Sequence, residues 1–502
     1  MKKIVRRALT VIPAAALQVL WIVLLLKWLQ PYTAIITTIL TIFSFFFVLY
    51  VITKRDESTY RILWLLIILS FPLPGTLLYL LFGNKRTARP LELGLARAQK
   101  GSIPAASLAP VSYNESVRMG QTVRWLERKT GYPLHRVESV RYYPLGDDML
   151  PDMLSDLKAA KRFIYVEYFI ISAGYMWDSI AAVLEEKAAE GVDVRLIYDD
   201  LGSIATFNAD NCRQLRAKGI KCITFNPLVA VKGTVNYRDH RKMLIIDGAI
   251  AYSGGVNLAD EYVNRIERFG HWKDIGFRLT GAAARNYVHM FLTFWNAFSG
   301  QPLTHPPVLP DADEPSPENA DGYVLSYYDS PLNAEATSNQ LYIDLLSQAT
   351  DYAWFFTPYL MLGDKLLNAM TEAAHRGVDV RILMPGIPDK KQIFRMSRSY
   401  YQVLLMEGIS IYEYTPGFLH AKGVIIDDAV CACGTVNLDY RSLFLHFENN
   451  SLFLHSSIVE SMKKDFLATQ EKSRKIQPYD MSARYLRRWI VDGVLRIFAP
   501  LC

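Results

Sequence analysis

The feature that most constrains this chain is an internal duplication that carries chemically active side chains. Each copy contains a His-x-Lys-x4-Asp motif, followed at matched distances by glycine and asparagine. The two copies are His240-Arg-Lys242-Met-Leu-Ile-Ile-Asp247 with Asn257, and His420-Ala-Lys422-Gly-Val-Ile-Ile-Asp427 with Asn437. One such pair is usually a surface feature, whereas two copies with identical spacing indicate a repeated unit. The sequence therefore predicts two related lobes.

The duplication extends to the elements that precede the motif. In each half, predicted helices and strands lead to the same pentapeptide, Gly-Val-Asp-Val-Arg, at residues 191–195 and 377–381. The predicted elements are 149–160, 162–171, 177–190 and 196–198 in the first half, and 340–348, 354–360 and 365–376 in the second. Strands that alternate with helices favour mostly parallel sheets covered by helices. We predict an α/β fold class: two duplicated lobes, 112–301 and 323–475, with mixed sheets flanked by helices.

Three further segments connect or extend the lobes. Residues 302–322 are rich in proline and acidic residues, so they cannot bury a core and are predicted to be a linker. Residues 84–111 form a tether to the N-terminal region. Residues 476–502 carry Arg484, Arg487, Arg488 and Arg496 among aromatic and aliphatic residues. A helix there would be basic and amphipathic, and would lie on anionic lipid or pack on the body.

Hydrophobic residues are concentrated in residues 1–83. Three runs, 8–29, 33–53 and 62–82, each reach the roughly 20 apolar residues that a transmembrane helix needs. Pro72, Pro74 and Gly75 interrupt the third run, which either spans the bilayer or dips into it and returns. Basic residues follow the second and third runs and favour the cytoplasm. We predict a multi-pass anchor in the cell membrane, with two or three segments and the body on the cytoplasmic side.

Charge and cysteine content narrow the classes of partner. The net charge of +6 and the pI near 8.8 suit an anionic partner such as a phosphate or a lipid surface. No basic and aromatic tract typical of nucleic-acid binding is present, so no nucleic-acid partner is expected. The five cysteines have irregular spacing and lack the paired pattern of a zinc site. We expect them to be free thiols and expect no metal or other cofactor.

The duplicated motif suits chemistry at phosphorus. Side chains two apart on a strand point to the same face, so each lobe would present an imidazole and an ammonium at one rim. If the lobes meet, a symmetric pocket with two histidines, two lysines and two asparagines results. Cations and amides stabilise charge on phosphate oxygens. One neutral histidine can attack phosphorus while the other protonates the leaving oxygen.

The paired motif resembles that of the phospholipase D superfamily, and its surroundings resemble bacterial cardiolipin synthases. The matching segments are residues 74–83, 236–242, 254–262, 271–274, 357–359, 417–422, 434–442 and 447–448. The resemblance therefore covers almost the whole chain. The chain departs from the family pattern at four positions, none of which removes a catalytic group: Asp239, Lys273, Gly423 and His446.

The resemblance implies a cardiolipin synthase, a phosphatidyltransferase that moves a phosphatidyl group from one phosphatidylglycerol to another through a phosphohistidine and releases glycerol. It implies that His240 attacks and His420 acts as acid and then base. It further implies phosphate binding by Lys242, Lys422, Asn257 and Asn437, and orientation of the histidines by Asp274 and Glu448. Asp247 and Asp427 complete the catalytic motif and are expected to hold the turn that ends each strand.

Other readings remain open at this point. A phospholipase D or a nuclease of the same fold would use water as the acceptor, and phosphatidylethanolamine could replace one phosphatidylglycerol as donor. A membrane-bound scaffold with a dead site is a third reading, against which both complete motifs count. The partners expected are phosphatidylglycerol, other membrane phospholipids and the bilayer, with an oligomer as an open alternative. The two histidines could also exchange roles.

Overall fold

The computed structural model describes most of the chain beyond the first hydrophobic run. It covers residues 33–54, 57–83, 89–101, 111–113, 116–227, 236–303, 313–333, 335–478 and 485–499, together with residues 16, 19–21, 23, 24 and 309. Most of the run at 8–29, and with it the prediction of a first membrane segment, lies outside the described residues. Cys502 lies outside them too, while the other four cysteines are buried free thiols, as expected.

The first lobe is built on a seven-stranded mixed sheet. Its strands are β2 (Val140–Tyr143), β3 (Phe163–Tyr168), β4 (Asp193–Asp199), β5 (Lys221–Phe225), β6 (Lys242–Ile246), β7 (Ile250–Gly254) and β9 (Gly276–Thr280). Their order in the sheet is β2-β9-β7-β6-β3-β4-β5, in which β3, β4 and β5 are parallel and the other pairs antiparallel.

The second lobe repeats this order within a nine-stranded sheet. Its strands are β1 (His135–Arg136), β10 (Tyr323–Asp329), β11 (Tyr352–Phe356), β12 (Asp379–Pro385), β13 (Ser410–Tyr414), β15 (Gly423–Ile426), β16 (Val430–Gly434), β17 (Glu448–Leu454) and β18 (Ser473–Lys475). The order is β1-β10-β17-β16-β15-β11-β12-β13-β18. The seven central strands match the first sheet one for one, with β11, β12 and β13 parallel. The duplication read from the sequence is therefore present in the topology.

Helices cover the sheets of the two lobes, and four more form the N-terminal region. The N-terminal helices are α1 (Thr33–Ile52), α2 (Ser58–Ser70), α3 (Pro72–Leu78) and α4 (Arg89–Gly101). In the first lobe they are α5 (Val117–Thr130), α6 (Gly146–Ala159), α7 (Tyr175–Ala189), α8 (Asp200–Ser203), α9 (Ala209–Ala217) and α10 (Arg285–Phe298). In the second they are α11 (Thr337–Gln348), α12 (Asp364–His375), α13 (Lys391–Ser399), α14 (Tyr401–Met406), α15 (Ser457–Glu471) and α16 (Tyr485–Phe498).

The predicted fold class is confirmed. The helices and strands expected before each motif occur within a few residues of their predicted bounds, and each pentapeptide leads directly into a parallel strand, β4 or β12. Strand β3 is buried along its whole length, as is typical of a parallel strand covered on both faces.

The two lobes share elements rather than merely touching. Strand β1 pairs with β10, so residues early in the first lobe's sequence extend the second lobe's sheet. Part of the linker docks on the same strand, because Glu314 accepts hydrogen bonds from the His135 ring at 2.6 Å and from the Arg136 amide at 2.8 Å. Residues 135–136, which the sequence assigns to the first lobe (112–301), therefore pack as part of the second lobe's sheet.

The third hydrophobic run folds back on itself. Helix α2 ends at Ser70, Phe71 separates it from Pro72, and α3 leads into a π-helical turn at Tyr79–Gly83. Tyr79 then packs its ring against Trp64 of α2 and Phe47 of α1, with centroids 5.3 and 5.5 Å apart. Gly83 lines one cavity together with Glu57 and Ser58, so the chain returns to the end of α2 at which that helix began.

Among the described helices, α1 is long and apolar enough to cross a bilayer, over 34–52. Large apolar side chains along it, such as Ile39 and Phe46, are about 60% exposed on the protein surface. An apolar face with no protein covering is typical of a helix that contacts lipid.

The C-terminal helix α16 packs on the body. Arg496 donates to the backbone carbonyl of Ser399 at the end of α13 and lies over the Tyr400 ring, 4.8 Å from its centroid. Leu495 packs against the main hydrophobic core. Of the two placements considered for this segment, packing on the body is therefore the one observed for the part near Arg496.

Candidate active site

The loops that carry the two motif histidines are bound by the opposite lobe. The backbone amide of His240 donates to the carbonyl of Phe447 in the second lobe at 2.9 Å. The Phe447 amide donates in return to the Arg238 carbonyl at 2.8 Å. In the second lobe, strand β14 (Gly417–Leu419) pairs in parallel with strand β8 (His271–Lys273) of the first lobe. The His420 amide donates to the Lys273 carbonyl at 2.7 Å. Each lobe therefore holds the other's histidine by its backbone.

The same exchange pairs each imidazole with a carboxylate from the other lobe. The Nδ1 atom of His240 lies 2.9 Å from both carboxylate oxygens of Glu448. The Nδ1 atom of His420 lies 2.6 Å from Oδ2 of Asp274. All four side chains are buried. Within the described residues the Nε2 atom of each histidine makes no hydrogen bond, so it is the nitrogen left for chemistry.

Glycine makes this close approach possible at two points. A Cβ atom on Gly255 would collide with the carboxylate of Asp274, and a Cβ atom on Gly417 would collide with the backbone of His271. At Gly255 the absence of a Cβ atom makes room for the carboxylate that pairs with His420.

Buried charges hold the loop around His240. Arg238 donates to Asp199 through Nε and Nη2 at 2.8 to 3.0 Å, and both side chains are buried. Arg241 donates to Asp239 at 2.8 Å and also to Glu167. Because an unpaired buried charge is costly, this network fixes the loop as a unit. The equivalent loop before His420 is apolar instead, with Phe418 and Leu419 buried.

The two motif lysines approach the histidines that they accompany. Lys242 Nζ donates to the carbonyl of His240 at 2.5 Å, and Lys422 Nζ donates to the carbonyl of His420. Burial lowers the pKa of Lys242 to about 7, with Glu448 opposing the effect. Burial likewise lowers the pKa of Lys422 to about 8, against the influence of Asp274. A phosphate bound nearby would favour the charged form of both lysines.

Both imidazoles are biased toward the neutral form. Burial, followed by the charge of Lys242, lowers the pKa of His240 well below its ordinary value. Burial and the ammonium of Lys422 lower the pKa of His420 to about 4, although Asp274 opposes them. Burial raises the pKa of Glu448 to about 8, against the influence of Lys242. The charges of both lysines act on both histidines, so these groups form one electrostatic cluster.

One geometric expectation was wrong. The motif histidine and lysine were expected to lie on a strand and share a face by alternation. Instead β6 begins at Lys242 and β15 begins after Lys422, so both histidines precede the strands. The physical reason is that each histidine amide is taken by the opposite lobe, which draws the chain out of its own sheet.

The motif aspartates lie at the far end of these strands. Asp247 accepts the backbone amides of residues 161, 162 and 163 at 2.7 to 2.9 Å. Asp427 accepts those of residues 350, 351 and 352 at 2.7 to 2.9 Å. Both residues have positive φ, 53° and 50°, where they end the strand in a turn. This geometry corrects their inclusion among the catalytic side chains and agrees with the turn-holding role expected for them.

The two motif asparagines are buried beside the cluster but differ in their contacts. Asn257 accepts the Ile170 amide at 3.1 Å and donates to the hydroxyl of Tyr262 at 2.8 Å. The Tyr262 ring in turn meets His420 edge-on, with centroids 5.4 Å apart. The Oδ1 atom of Asn437 is buried and has no hydrogen-bond partner. Asn437 therefore offers a ligand an unpaired acceptor, whereas both side-chain groups of Asn257 are engaged.

Sequence reasoning assigned no role to three residues at this site. His446 lies beside His240, with ring centroids 5.7 Å apart, and its Nε2 is buried without a partner. Thr435 donates to Glu448 at 2.5 Å. Lys273 donates to Asp465 of the second lobe at 2.7 Å. His446 and Lys273 were visible as departures from the family pattern, whereas nothing in the sequence marked Thr435.

A group of possible metal ligands lies within the same cluster. The donor atoms of His240, His446 and Glu448 are within 4.8 Å of one another. Two of these residues already form the imidazole–carboxylate pair described above. The group therefore belongs to the catalytic cluster and does not define a separate centre.

Two family models match the chain, one in the lobes and one in the N-terminal region. The family model described as "Cardiolipin synthase, PLD-like domain" matches residues 153–267 and 342–469, one segment in each lobe. The model described as "Phospholipase_D-nuclease N-terminal" matches residues 39–84, which contain most of α1 and all of α2 and α3.

Individual relatives match over nearly their full length. A cardiolipin synthase of Geobacillus thermodenitrificans is 32% identical over 479 residues, 91% of this chain and 92% of that protein. An uncharacterized protein of Streptococcus mutans is 39% identical over 460 residues, 90% of this chain and 99% of that one. Among solved structures, the phosphatidylserine synthase of Haemophilus influenzae has a TM-score of 0.57 at 16% identity, covering 76% of this chain and 98% of that one. This last likeness concerns the fold alone.

The crossed pairs predict which carboxylates affect turnover. Asp274→Asn should lower kcat by about 10²–10⁴-fold, because an amide cannot stabilise the imidazolium that forms during proton transfer. Glu448→Gln should do the same above about pH 8, where burial has raised the pKa of Glu448 and the carboxyl is ionised. Steady-state kinetics on purified protein measures this.

Asp427→Ala is the matched control, since among the described residues its carboxylate binds the Thr350 side chain and backbone amides at the far strand end. It should lower the free energy of unfolding by about 1–3 kcal/mol and leave kcat of the folded protein unchanged. A large kcat loss in the control, with normal turnover in Asp274→Asn, would contradict these assignments.

Proposed function

Because the chain belongs to the bacterial cardiolipin synthase family of the phospholipase D superfamily, we propose that it joins two phosphatidylglycerol molecules into cardiolipin and glycerol through a phosphohistidine. Membership makes it an enzyme that transfers phosphatidyl groups between phospholipids. The observation that carries the finer proposal is the crossed pairing of His240 with Glu448 and of His420 with Asp274. Two oriented imidazoles in one cluster suit attack and protonation at a single phosphorus.

In the first step, Nε2 of His240 attacks the phosphorus of one phosphatidylglycerol. The bond from phosphorus to the headgroup oxygen breaks, and protonated His420 gives its proton to that oxygen, so glycerol leaves. The pKa values of both histidines are lowered, so either ring can supply the neutral imidazole that a nucleophile needs, and we assign the attack to His240. Asp274, hydrogen-bonded to His420, supports the imidazolium needed to protonate the leaving group.

In the second step, His420 takes the proton from a terminal hydroxyl of a second phosphatidylglycerol. The resulting oxygen attacks phosphorus, the bond from phosphorus to nitrogen breaks, and His240 is released as the neutral imidazole. One phosphodiester bond replaces another, so the exchange needs no nucleotide. Glu448 and Asp274 hold the two rings by Nδ1 in both steps, which keeps each Nε2 available.

The remaining polar groups stabilise charge at phosphorus. The ammonium groups of Lys242 and Lys422 are the candidates for binding the non-bridging oxygens, and the unpaired Oδ1 atom of Asn437 can accept from a hydroxyl of the substrate. Lys242 and Lys422 have pKa values lowered to about 7 and about 8 by burial, so they lose charge in the range where cytoplasmic enzymes work. We propose that the phosphate itself restores these charges when it binds.

We also propose that the body faces the cytoplasm. The return of residues 72–83 toward the start of α2 brings Gly83 and Lys54 to the wall of one cavity. Arg61 lines the same cavity, and Arg89 follows a few residues after Gly83. Basic residues that flank hydrophobic segments favour the cytoplasmic side, which supports this orientation.

Substitution of the histidines tests the reaction. His240→Ala and His420→Ala should each lower cardiolipin synthesis by about 10²–10⁴-fold or more, because each removes a group that forms or breaks bonds. Purified protein is incubated with labelled phosphatidylglycerol, and the lipid products and glycerol are quantified. Release of phosphatidic acid by the unaltered protein would instead indicate hydrolysis, and wild-type-like synthesis by either variant would refute the assignment.

Surface labelling tests the orientation. In a variant whose native cysteines are replaced by alanine, Arg89→Cys should not react with a membrane-impermeant thiol reagent on intact cells. It should react after the membrane is made permeable, because position 89 is exposed on the protein. Labelling from outside intact cells would show that the proposed orientation is reversed.

A further inference from the structure

A cavity of about 610 Å³ lies where the membrane-proximal helices meet the second lobe. Its walls come from the end of α1, the start of α2, Gly83, the start of α11 and the π-helical turn Arg441–Leu445. A volume of this size falls in the range of small-molecule binding sites. None of the catalytic side chains described above lines it, so it is distinct from the phosphorus-reactive cluster.

Two chain segments that line the cavity lead on to that cluster. Tyr237 and Leu445 both line it, and the Tyr237 amide donates to the Leu445 carbonyl at 2.8 Å. Tyr237 lies three residues before His240, and Leu445 lies three residues before Glu448. A ligand in the cavity therefore lies against the same two chain segments that bring the His240–Glu448 pair together.

Two polar atoms at the cavity have no partner among the described residues. Asn339 is only 7% exposed, and its buried Oδ1 atom accepts no hydrogen bond. The Nε atom of Arg61 is buried and donates none. A buried polar atom without a partner is costly, so such atoms indicate a group that completes them. An anionic oxygen of a ligand would accept from Arg61 Nε, and a hydroxyl of the same ligand would donate to Asn339 Oδ1.

The charges around the cavity agree with an anionic ligand. Lys54, Arg61 and Lys365 line it. Of the two acids in the wall, Glu335 is paired with Lys129 at 3.1 Å, and Glu57 accepts the Asp364 amide at 3.2 Å. Glu57 also interacts with the charges of Lys365 and Arg61. The cavity wall therefore carries three cationic side chains against two acidic ones.

The position of the cavity selects a lipid as the source of that ligand. Ile52 is the last residue of α1, the helix able to cross a bilayer, and Ile52 and Phe444 give the cavity apolar wall. Phosphate at the polar end and acyl chains beside α1 would suit a molecule that remains partly in the bilayer.

We propose that this cavity binds the headgroup of an anionic, hydroxylated glycerophospholipid, with its phosphate at Arg61 and a headgroup hydroxyl at Asn339. The inference rests on the proposed function, because it supplies that reaction with lipid next to the catalytic cluster. It assigns Arg61 and Asn339 to substrate binding, apart from the groups that react.

Equilibrium binding of labelled phosphatidylglycerol in mixed micelles tests the site, with full-length protein carrying His240→Ala so that lipid is not consumed. Adding Asn339→Leu should weaken binding about three- to tenfold, because it removes one hydrogen-bond acceptor. Adding Arg61→Gln should weaken it about tenfold or more, because the lost bond is charge-assisted. Unchanged affinity in both variants would overturn the proposal.

The control is Arg213→Gln, which removes an exposed arginine of the first lobe that is paired only with Asp210 and should bind lipid normally. Asn339→Leu breaks no hydrogen bond of the described structure, so its melting temperature should not fall. In the enzyme with both histidines intact, Asn339→Leu should raise KM for phosphatidylglycerol and leave kcat within about twofold. A fall in kcat with unchanged KM would contradict a binding role.

Two further arms separate the lipid from its soluble headgroup and from neutral lipids. Glycerophosphoglycerol should compete with phosphatidylglycerol only weakly, and equal competition would show that the site takes a free headgroup. Phosphatidylcholine should not compete, and equal competition would remove the role of charge. Lipid binding without cardiolipin formation by the unaltered protein would refute the proposed function alone. Cardiolipin formation with unaffected cavity variants would refute this inference alone.

Discussion

The reciprocal exchange of carboxylates between the lobes is the interaction on which the site depends. His240 of the first lobe is held by Glu448 of the second, and His420 of the second by Asp274 of the first. The backbone repeats the exchange, since each histidine amide donates to the opposite lobe next to the carboxylate concerned. Neither lobe alone contains an oriented imidazole, so the duplication is completed only by the interface. Burial of this interface also gives the histidines and lysines their shifted pKa values.

The duplication could be predicted because it repeats local patterns. The pentapeptide before β4 and β12, the apolar strands after Lys242 and Lys422, and the matched spacing to Asn257 and Asn437 are all visible within short windows of sequence. Asp274 and Glu448 could be nominated from resemblance. Their crossed pairing could not, because it joins residues 208 and 146 positions apart and depends on how two sheets meet. Hydrophobic periodicity specifies which face of a strand is buried, not which lobe supplies a partner.

The same limit explains the corrected details. Alternation along a strand suggested that each histidine lies in register with its lysine, but the interlobe hydrogen bonds end the strand before the histidine. Asp247 and Asp427 belong to the motif by spacing, yet they act at the other end of the strand, where they cap exposed amides of the neighbouring chain segment. His446 stood out only as a departure from a pattern, and its contact with His240 follows from the turn that precedes β17.

The membrane-proximal region is connected to this site through a short path. The fold-back of residues 72–83 brings Gly83 to the wall that also contains Ile52 and Arg61, and the opposite wall is the turn that leads to Glu448. The Glu57 carboxylate accepts a hydrogen bond from the Asp364 amide, and the Ser58 hydroxyl donates to the Asp364 carboxylate. These two hydrogen bonds connect the start of α2 to α12 of the body. The end of the apolar helix α1 and the catalytic cluster are thus arranged along one side of the second lobe.

The most direct test of a single shared centre is an experimental structure of the protein with vanadate, which adopts the five-coordinate geometry of phosphorus in transfer. The account predicts one vanadium atom bound to Nε2 of His240, with Nε2 of His420 on the opposite side within hydrogen-bond reach of an apical oxygen. Vanadate bound within one lobe, or by one histidine with the other directed elsewhere, would contradict it.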